Sequence, residues 1–573
     1  MVNKQYVLGL NHGEINSSAA LIEDGRVIAG CPEERFNRQK RSKAFPHQSV
    51  EFCLKQAGIT LEDCTAIAQA WNPGAGWHKF NPLISGQRAR REDYFYSLPD
   101  NLLNIGGRKE SDWVRMDFGG NGLPPVYYVQ HHRSHAANAF FLSPFEEAAI
   151  LTCDWRGEYE CTTWAHGRGM DIEVLQAQTI PHSLGMFYGT FTEFLGYSPD
   201  SDEWKVMALS AFDVDSKKFE DAIRQTYRLN DNGTLELDQS FYKGALIDQP
   251  KLYTHKFVDL FGGREGVPGE EAGEWHYAVA RAMQTVAEDI AFHFLDHLHQ
   301  RTGCASVVGS GGFFMNSVLN GKLIDRSPFD EMYVSYAPAD VGNSIGAGLY
   351  VAHCLNDQPR NLAYTPSEIG PAFSDGEIEA VLKRRRIPYR KADAIEKEIA
   401  EILSQGNIVA VCNGRMEFGE RALGNRSILA DPRSEDIKDR INASIKYRES
   451  YRPFAPAVVH DRVAEYFDVA PGFEAPYMER VVPVRPEHRA ALPAITHVDG
   501  SGRVQTVKPG QNPFFHAVIS AFGDITGIPV VLNTSFNING EPIVLSPDDA
   551  LTTFFNSGLE FLVVGSFIIS KDA

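Results

Sequence analysis

The sequence predicts a two-domain α/β protein, with an N-terminal domain built from two similar halves and a smaller C-terminal α/β domain. Three observations lead to this prediction. A strand–loop–hairpin pattern occurs twice in the first part of the chain, a long amphipathic helix follows it, and an arginine-rich segment of different character lies beyond a proline-bearing linker. At 573 residues the chain is also too long for one hydrophobic core, so more than one domain is expected.

The first strand–loop–hairpin unit begins at the N-terminus. An apolar strand over 6–10 is followed by a small-polar loop over 11–18 and then by two further strands, 19–23 and 26–31. Asp24-Gly25 joins the last two strands, and Asp-Gly between apolar runs is a strong hairpin signal.

The same pattern returns between residues 148 and 175. Apolar runs over 148–153, 161–166 and 172–175 are separated by a polar loop and a glycine turn. Two such units fit the paired halves of the sugar-kinase/actin-like fold, which clamps a nucleotide between them. Because β-hairpins are common, chance recurrence is the competing explanation.

A long amphipathic helix is predicted over 274–300, because apolar residues recur at three- and four-residue spacing until Gly303. A strand over 305–308 then leads into Gly311-Gly312 and a second helical pattern over 314–323. Free backbone N–H groups point outward at such a strand–turn–helix junction and suit a phosphate or nucleotide. A tight turn without a ligand is the alternative.

The polar, proline-bearing stretch 356–371 is predicted to be a linker. It divides the chain into an N-terminal domain over 1–360 and a C-terminal domain over 372–573. The segment 86–118, rich in Arg, Asp and Asn, is predicted to be a surface insertion.

Composition narrows the function classes. The formal charge is 55 − 74 = −19, which argues against broad electrostatic binding of nucleic acid or an anionic membrane. The eight cysteines form no CxxC pair, which is typical of reduced thiols rather than a disulfide framework or zinc ribbon. The sequence shows no signal-peptide pattern, and its apolar runs are too short to span a bilayer. We therefore expect a soluble cytoplasmic protein.

A metal site is predicted around two histidines. After a strand over 126–129, a helix starting near 131 places His131 and His135 at positions i and i+4 on one face. Asp154 follows the next strand, and Asp340 follows a later one. Two imidazoles and two carboxylates suit iron, zinc or manganese with positions left open for substrate. Helix capping by one histidine, with the others at the surface, is the competing explanation.

An anion pocket is predicted in the C-terminal domain. Its arginines and lysine are interleaved with Gly, Leu, Ile and Phe, and a polar Ser-Phe-Asn run follows an apolar strand over 529–532. Glycine lets the backbone approach an anion, and the arginine fork matches phosphate oxygens. Partly buried cations need anionic partners, although a solvated basic face is the alternative. The pocket residues are Arg415, Arg421, Lys446, Arg448, Arg452, Arg503, Ser535 and Asn537.

Six motifs together resemble the nodulation-type O-carbamoyltransferase family over nearly the whole chain. They are HHRSHAANAF, PHSLGMFYGTFTEFLGY with DEWKVMAL, GSGGFFMNSVLNGKL, GRMEFGERALGNRSILADPR, NASIKYRESYRPFAPAV and LNTSFNINGEPIV. The resemblance implies two domains related to the tRNA threonylcarbamoylation machinery. The first would be sugar-kinase/actin-like and metal-bearing, and the second would have the twisted α/β fold of threonylcarbamoyl-adenylate synthase.

The resemblance also implies the chemistry. The C-terminal domain would handle carbamoyl phosphate, and ATP, with Mg²⁺, would form carbamoyl-adenylate with loss of pyrophosphate. The N-terminal domain would then transfer the carbamoyl group to a small-molecule hydroxyl near Fe²⁺ or another divalent transition metal. Carried over to this sequence, the metal ligands are His131, His135, Asp154 and Asp340, the nucleotide contacts are Lys205, Gly311, Gly312 and Asn316, and the carbamoyl phosphate contacts are the eight pocket residues named above.

This sequence departs from the family pattern at three points. Many members have His-Asp in the first loop, where Ile15-Asn16 stands here, so His12 and Glu14 are the candidates for the base that activates the acceptor. With His12, the catalytic residues inferred are His131 and Lys446. Glu420 replaces a usual proline, and Trp204 precedes Lys205 where glycine is frequent.

The sequence disfavours three alternative functions. Threonylcarbamoyl transfer to tRNA is disfavoured by the acidic surface and the longer C-terminal part. The hydrogenase-maturation carbamoyltransferases carry an acylphosphatase-like domain and CxxC zinc fingers, and this sequence has neither. A non-catalytic nucleotide-binding sensor is disfavoured by the intact cationic pocket. The acceptor stays open among aminoglycosides, macrolides, ansamycins, β-lactams and oligosaccharides. Because most of these are antibiotics, we expect a role in antibiotic biosynthesis. The oligomeric state also stays open, with a homodimer as one possibility.

Overall fold

The computed structural model describes residues 4–13, 16–72, 112–117, 122–243, 251–448, 451–452 and 454–571. Its described residues form two compact units. Unit 1 falls within 1–30, 43–316 and 322–365, and unit 2 falls within 31–42, 317–321 and 366–573. Both units are mixed α/β, which confirms the predicted fold class.

The strands up to residue 334 include the three strands of each predicted repeat. They are β1 Tyr6–Asn11, β2 Ser18–Glu23, β3 Arg26–Pro32, β4 Ala66–Gln69, β5 Trp113–Met116, β6 Val126–Val129, β7 Glu147–Cys153, β8 Glu160–Arg168, β9 Asp171–Thr179, β10 Tyr227–Leu229, β11 Leu235–Leu237, β12 Ser306–Ser310 and β13 Glu331–Val334.

Two sheets of unit 1 share one topology. The first has the order β3-β2-β1-β4-β6-β5 and the second the order β13-β12-β7-β8-β9, while β10 and β11 form a separate hairpin. In each sheet the first strand pairs antiparallel with the second and parallel with the fourth. The sequence repeat therefore corresponds to a repeated structural unit, as the sugar-kinase/actin-like prediction requires.

The turn between β2 and β3 shows why the first hairpin forms where the sequence places it. Asp24 and Gly25 have φ angles of 47° and 76°. Two consecutive positive φ angles define the tight hairpin turn that Asp-Gly favours.

The helices of unit 1 cover the two sheets. The longest, Glu274–Thr302, buries the apolar stripe from which it was predicted. Gly303 ends this helix in the left-handed conformation, and its N–H donates to the carbonyl of His299 over 2.8 Å. The other helices are His47–Ala57, His131–Leu142, Leu184–Phe194, Glu203–Leu209, Lys217–Ile223, His255–Leu260, Ser317–Arg326, whose first five residues belong to unit 2, and Asn343–Tyr350, which continues as a π-helical turn over Val351–Leu355.

The two faces of β1 are buried against different helices. Leu8 and Leu10 pack in a cluster with Cys53 of the helix His47–Ala57. On the opposite face, Gly9 lies so close to the helix Asn343–Tyr350 that a Cβ there would come within 1.8 Å of the carbonyl oxygen of Ser344. Glycine at this position is therefore a packing requirement.

The sheet of unit 2 is built from β14 Arg390–Lys391, β15 Val409–Cys412, β16 Arg426–Ala430, β17 Ala455–Val459, β18 Arg480–Pro483, β19 Ser501–Val507, β20 Val530–Ser535, β21 Phe561–Val564 and β22 Phe567–Ser570. Their order is β14-β22-β21-β15-β16-β20-β17-β19-β18, with parallel and antiparallel pairs mixed.

Both faces of this sheet are buried. Along β15, Ala410 and Cys412 join one apolar cluster, whereas Val409 and Val411 join the other. Alternate side chains of a strand point to opposite faces, so a continuous apolar run is what a doubly covered strand requires. The helices of unit 2 are Glu33–Asn37, Asp375–Arg385, Ile395–Ser404, Ile437–Ile441 with a π-helical turn over Asn442–Lys446, Val463–Tyr466, Pro486–Arg489, Pro513–Thr526 and Pro547–Phe555.

Two other predictions concern irregular segments. The linker 356–371 has no helix or strand, in agreement with its polar sequence. Most of the predicted insertion 86–118 lies outside the described residues, and its described part contains β5. Among the helices that the structure describes, none has both the length and the apolar character needed to cross a membrane.

The close contact at Gly9 gives a stability prediction. Gly9→Ala should lower the free energy of unfolding by about 1–3 kcal/mol, because the backbone carbonyl of Ser344 cannot move away easily. Gly348→Ala is the matched control, because its Cβ would meet only the side-chain end of Ile22. Urea unfolding of both variants checks this, and equal losses would contradict the packing explanation.

Candidate functional site

Four predicted metal ligands converge in unit 1. His131 and His135 lie one turn apart on the helix that directly follows β6, Asp154 follows β7, and Asp340 begins a short 3₁₀ turn over Asp340–Gly342. The ligand atoms of all four lie within 4.8 Å of one another.

The distances within this cluster are short and of similar size. Nε2 of His135 lies 2.9 Å from Oδ2 of Asp154 and 3.4 Å from Oδ1 of Asp340. Nε2 of His131 lies 3.2 Å and 3.5 Å from the same two oxygens, and the two Nε2 atoms are 3.0 Å apart. Bonds of about 2.0–2.2 Å from one metal to two neighbouring ligands separate those ligands by about 3.0–3.6 Å.

Neighbouring polar groups hold the histidines in place. Nδ1 of His135 lies 3.2 Å from Oγ of Ser310, which donates to the carbonyl of Pro338. The backbone N–H of His131 donates to the buried carboxylate of Glu158. Such outer contacts fix which imidazole nitrogen faces a metal.

The charges in the cluster are strongly coupled. Burial alone would lower the pKa of His131, but Asp340 and Asp154 raise it well above its ordinary value. Burial would raise the pKa of Asp154, but hydrogen bonds from His131 and His135 lower it well below its usual range. The carboxylate of Asp154 therefore stays ionised, as a metal ligand must. The donor set, its burial and its spacing fit a divalent transition metal.

The third histidine of the helix has a different role. Nδ1 of His132 lies 2.7 Å from Oγ1 of Thr152, and burial lowers the pKa of His132 well below its ordinary value. His132 is thus a neutral core residue and not a fifth ligand.

The glycine turn predicted to contact a nucleotide lies beside the cluster. Gly311 has φ = 99°, and a Cβ there would come within 2.1 Å of the carbonyl oxygen of Cys153, so only glycine fits. The N–H of Gly312 donates to Oδ1 of Asp154 over 3.2 Å. The turn and the His/Asp cluster are therefore one site.

Asn316 extends this site toward the long helix. Its amide exchanges two hydrogen bonds with Gln284, of 3.0 and 3.2 Å, and Gln284 accepts from the hydroxyl of Tyr188. The charge of Glu203 contributes to a raised pKa of Tyr188, whose main cause is burial. Sequence reasoning identified Asn316 but missed Gln284 and Tyr188, because no local motif indicates that these two residues hydrogen-bond at this site.

Lys205 lies in the helix Glu203–Leu209, which packs on the long helix. Its Nζ is 3.2 Å from Asp202 and 5.5 Å from the ring centroid of Trp204. The tryptophan that departs from the family pattern therefore lies against the lysine.

His12 follows β1, and its ring lies 5.1 Å from that of Phe45. Burial lowers the pKa of His12, so the imidazole is neutral at pH 7. The neighbouring residues Glu14 and Ile15 of the same loop lie outside the described residues.

A second site lies in unit 2, around Lys446. Its Nζ is almost fully buried and donates to Oδ1 and the carbonyl of Asn537, both 2.9 Å away, and to Oγ of Ser535 at 3.2 Å. Burial, followed by the charges of Arg448 and Arg452, lowers the pKa of Lys446 well below its ordinary value.

Arg503 belongs to the same group of cations. Burial, then the charges of Arg421, Arg448 and Arg452, lower its pKa well below the ordinary value. Its buried Nε has no hydrogen-bond partner among the residues that the structure describes. Like charges so close together favour an anion between them.

Two arginines of the segment 414–427 contact main-chain carbonyls. Arg426 is almost fully buried and donates to the carbonyls of Asn413 and Leu545. Arg415, which was predicted to bind substrate, donates to the carbonyls of Ile369 and Gly370. The carboxylate of Glu417 accepts three backbone N–H groups of this loop, so the loop is held rigidly.

Sequence reasoning missed the contribution of residues 31–42 to unit 2. Arg35 donates to the carbonyl of Gly419 over 2.9 Å, and Arg38 donates to the carbonyls of Pro542 and Ile543. The charge of Lys40 also helps to lower the pKa of Lys446. These residues are remote in sequence from the loops that they touch, so no spacing rule could find them.

Comparison with known proteins finds matching family models and relatives. A family model described as "Carbamoyltransferase N-terminus" matches residues 7–349, and one described as "Carbamoyltransferase C-terminus" matches residues 400–571. An uncharacterized Synechocystis protein is 34% identical over 99% of this chain and 97% of its own length. Nodulation protein NolNO of Sinorhizobium fredii is 36% identical over 97% of this chain and 79% of its own length.

Solved structures show only remote likeness. The (R)-2-hydroxyglutaryl-CoA dehydratase component A of Acidaminococcus fermentans matches 61% of this chain and 98% of its own at 13% identity, with a TM-score of 0.33. No inference about fold or function follows from a similarity at this level.

The His/Asp cluster gives a prediction about metal binding. His135→Ala should weaken Mn²⁺ binding by more than about tenfold, because it removes a ligand from the centre of the cluster. His132→Ala is the matched control, since His132 faces Thr152 instead. Titration followed by electron paramagnetic resonance measures both affinities, and equal values in the two variants would show that the cluster is not the metal site.

The cationic pocket gives a prediction about pH. Lys446 must be protonated to bind an anion, and its folded pKa lies below the ordinary lysine value. Inorganic phosphate should therefore bind progressively less tightly as the pH rises through that lowered pKa, before an ordinary lysine would titrate.

Lys446→Arg is the control for this pH dependence, because a guanidinium stays charged throughout the range. Apart from the titration of phosphate itself, which both proteins share, its affinity for phosphate should change little over this range. Calorimetric titrations at several pH values compare the two proteins, and parallel curves would exclude Lys446 as the titrating group.

Proposed function

The chain belongs to the carbamoyltransferase family, and on that premise we propose that it is an ATP-dependent O-carbamoyltransferase that uses carbamoyl phosphate. The proposal rests chiefly on the pocket of unit 2, where five cations lie close together. The charges of Arg448 and Arg452 lower the pKa of Lys446, and those of Arg421, Arg448 and Arg452 lower the pKa of Arg503. A small phosphorylated substrate would relieve this repulsion.

The pocket residues have separate tasks in this proposal. The arginine forks bind the phosphate oxygens, and Lys446 contributes a point charge at the same end. Ser535 and Asn537, which contact Lys446, would hydrogen-bond the carbamoyl end. Glu417 and Arg426 keep the surrounding loop in position.

The proposed reaction proceeds through phosphate release, adenylation and transfer. Water releases phosphate from carbamoyl phosphate, and the resulting carbamate oxygen attacks the α-phosphorus of ATP, so that carbamoyl-adenylate forms and pyrophosphate leaves. An acceptor hydroxyl then attacks the carbamoyl carbon, loses its proton, and displaces AMP. Adenylation supplies the good leaving group that carbamate lacks.

Unit 1 would bind the nucleotide and carry out the transfer. The Gly311-Gly312 turn and Asn316 offer backbone and amide contacts, and Lys205 offers a positive charge for phosphates of ATP bound with Mg²⁺. A divalent metal, which we take to be Fe²⁺, held by His131, His135, Asp154 and Asp340 would supply Lewis acidity toward the carbamoyl or hydroxyl oxygen.

His12 is our proposal for the acceptor base. Its lowered pKa keeps the imidazole neutral, which is the state that can take the hydroxyl proton. We propose that the acceptor is a small natural product or sugar, antibiotics included, since the net charge of −19 disfavours tRNA. The eight free cysteines also favour the cytoplasm.

Two variants test the division of labour. Lys446→Ala should lose carbamoyl-phosphate-dependent pyrophosphate release from ATP, because the activation pocket loses a buried charge. His131→Ala should fail in transfer. A screen of candidate hydroxyl compounds by mass spectrometry, seeking a carbamoyl mass gain, first identifies an accepted substrate.

Chemically prepared carbamoyl-adenylate then separates the two defects. Supplied with the accepted substrate, Lys446→Ala should recover product formation, whereas His131→Ala should not. Arg462→Ala is the matched control, since Arg462 is an exposed residue of unit 2 paired with Glu465. Recovery of both variants, or of neither, would show that activation and transfer are not divided in this way.

A further inference from the structure

A second group of metal-ligating side chains lies in unit 1, apart from the His/Asp cluster. Oε1 of Glu147, Nε2 of His166 and Sγ of Cys304 lie within 4.8 Å of one another. Nε2 of His166 is 2.8 Å from Oε1 of Glu147 and 3.3 Å from Sγ of Cys304. None of the three takes part in the proposed carbamoyl transfer.

The register of the second sheet explains why these residues meet. Ala149 of β7 pairs with His166 of β8, and Glu147 lies two residues before Ala149 on the same face. Glu147 and His166 are therefore diagonal neighbours. On the other side of β7, Val307 of β12 pairs with Ala149, which places Cys304 near the same end of the sheet.

The three side chains differ in exposure. Cys304 is 8% exposed, and the side chain of His166 is 11% exposed, whereas that of Glu147 is half exposed. The group is thus buried on the thiol side and open on the carboxylate side, so an ion could enter from solvent.

The position of Cys304 also favours a cation. It follows directly after the 29-residue helix Glu274–Thr302, whose last carbonyls carry the partial negative charge of the helix end. A positive ion held by Cys304 would therefore lie at the end of the helix that attracts it.

We propose that Glu147, His166 and Cys304 form a binding site for a zinc-class divalent cation, with a fourth position open to water. One sulfur, one imidazole nitrogen and one carboxylate oxygen are ligands that Zn²⁺ accepts in a tetrahedral arrangement. The bound ion would tie the end of the long helix to the hairpin of β7 and β8.

Two local changes accompany binding. Arg168 donates from Nε to Oε1 of Glu147 over 2.8 Å and must turn away, which its exposed position allows at little cost. The thiol of Cys304 gives its proton to solvent as the metal–sulfur bond forms.

The ligand chemistry separates this site from the His/Asp cluster. The cluster of His131, His135, Asp154 and Asp340 contains no sulfur. Only a site with a cysteine ligand gives the near-ultraviolet thiolate-to-metal charge-transfer band when Co²⁺ replaces Zn²⁺. That band reports on the second site even when both sites are filled.

The test uses the full chain, stripped of metal with a chelator and titrated with Co²⁺. The wild-type protein should develop the near-ultraviolet band, and Zn²⁺ should bleach it by displacing Co²⁺. Cys304→Ser should abolish the band, and Glu147→Gln and His166→Ala should each weaken Co²⁺ binding by about tenfold or more. His135→Ala should leave the band unchanged.

Cys354→Ser is the matched control, because Cys354 lies in the same unit but joins no such group among the residues that the structure describes. It should retain the band at full intensity. Circular dichroism confirms that each variant is folded, and Glu147→Gln changes only an exposed side chain, so its result stands even where Cys304→Ser is unstable. Absence of the band in the wild type, or its persistence in both Glu147→Gln and His166→Ala at unchanged affinity, would overturn the proposal.

Discussion

One carboxylate connects the parts of unit 1 that matter for function. Oδ2 of Asp154 faces the two histidines, and its Oδ1 accepts the N–H of Gly312 from the glycine turn. Its main-chain carbonyl accepts the hydroxyl of Ser183, which caps the helix Leu184–Phe194. The two histidines, the glycine turn and that helix therefore share a single fixed point. A shift of Asp154 would disturb all three, which explains why glycines surround it so closely.

The fold was largely predictable because its determinants are local. The Asp24-Gly25 turn, the apolar stripe of the long helix and the alternation along the strands each act over a few residues. The spacing of His131 and His135 was equally readable, since one helical turn brings them together. The contact of Arg35 with Gly419 could not be read, because the two residues are remote in sequence. Nor does the sequence show that Arg426 donates hydrogen bonds to main-chain carbonyls, whereas Arg503 lies near other cations.

The two units concentrate charge of opposite sign. Unit 1 gathers two carboxylates around His131 and His135, whereas unit 2 gathers lysine and arginine side chains in a chain that is acidic as a whole. Each concentration is unfavourable without a partner, because like charges repel more strongly away from water. A cation in the first site and an anion in the second would relieve this repulsion. Ligand binding and stability are thus linked in both units.

The path of the chain has a consequence for dissecting the enzyme. Unit 2 consists mainly of residues after 366 but also includes 31–42 and 317–321. A fragment that began at the linker would lack the arginines that hold the carbonyls of Gly419 and Ile543, and it would lack Asn320, which donates to the carbonyl of Glu479. The C-terminal half expressed alone would therefore be missing pieces of its own scaffold. The two units therefore cannot be separated by a single cut in the gene.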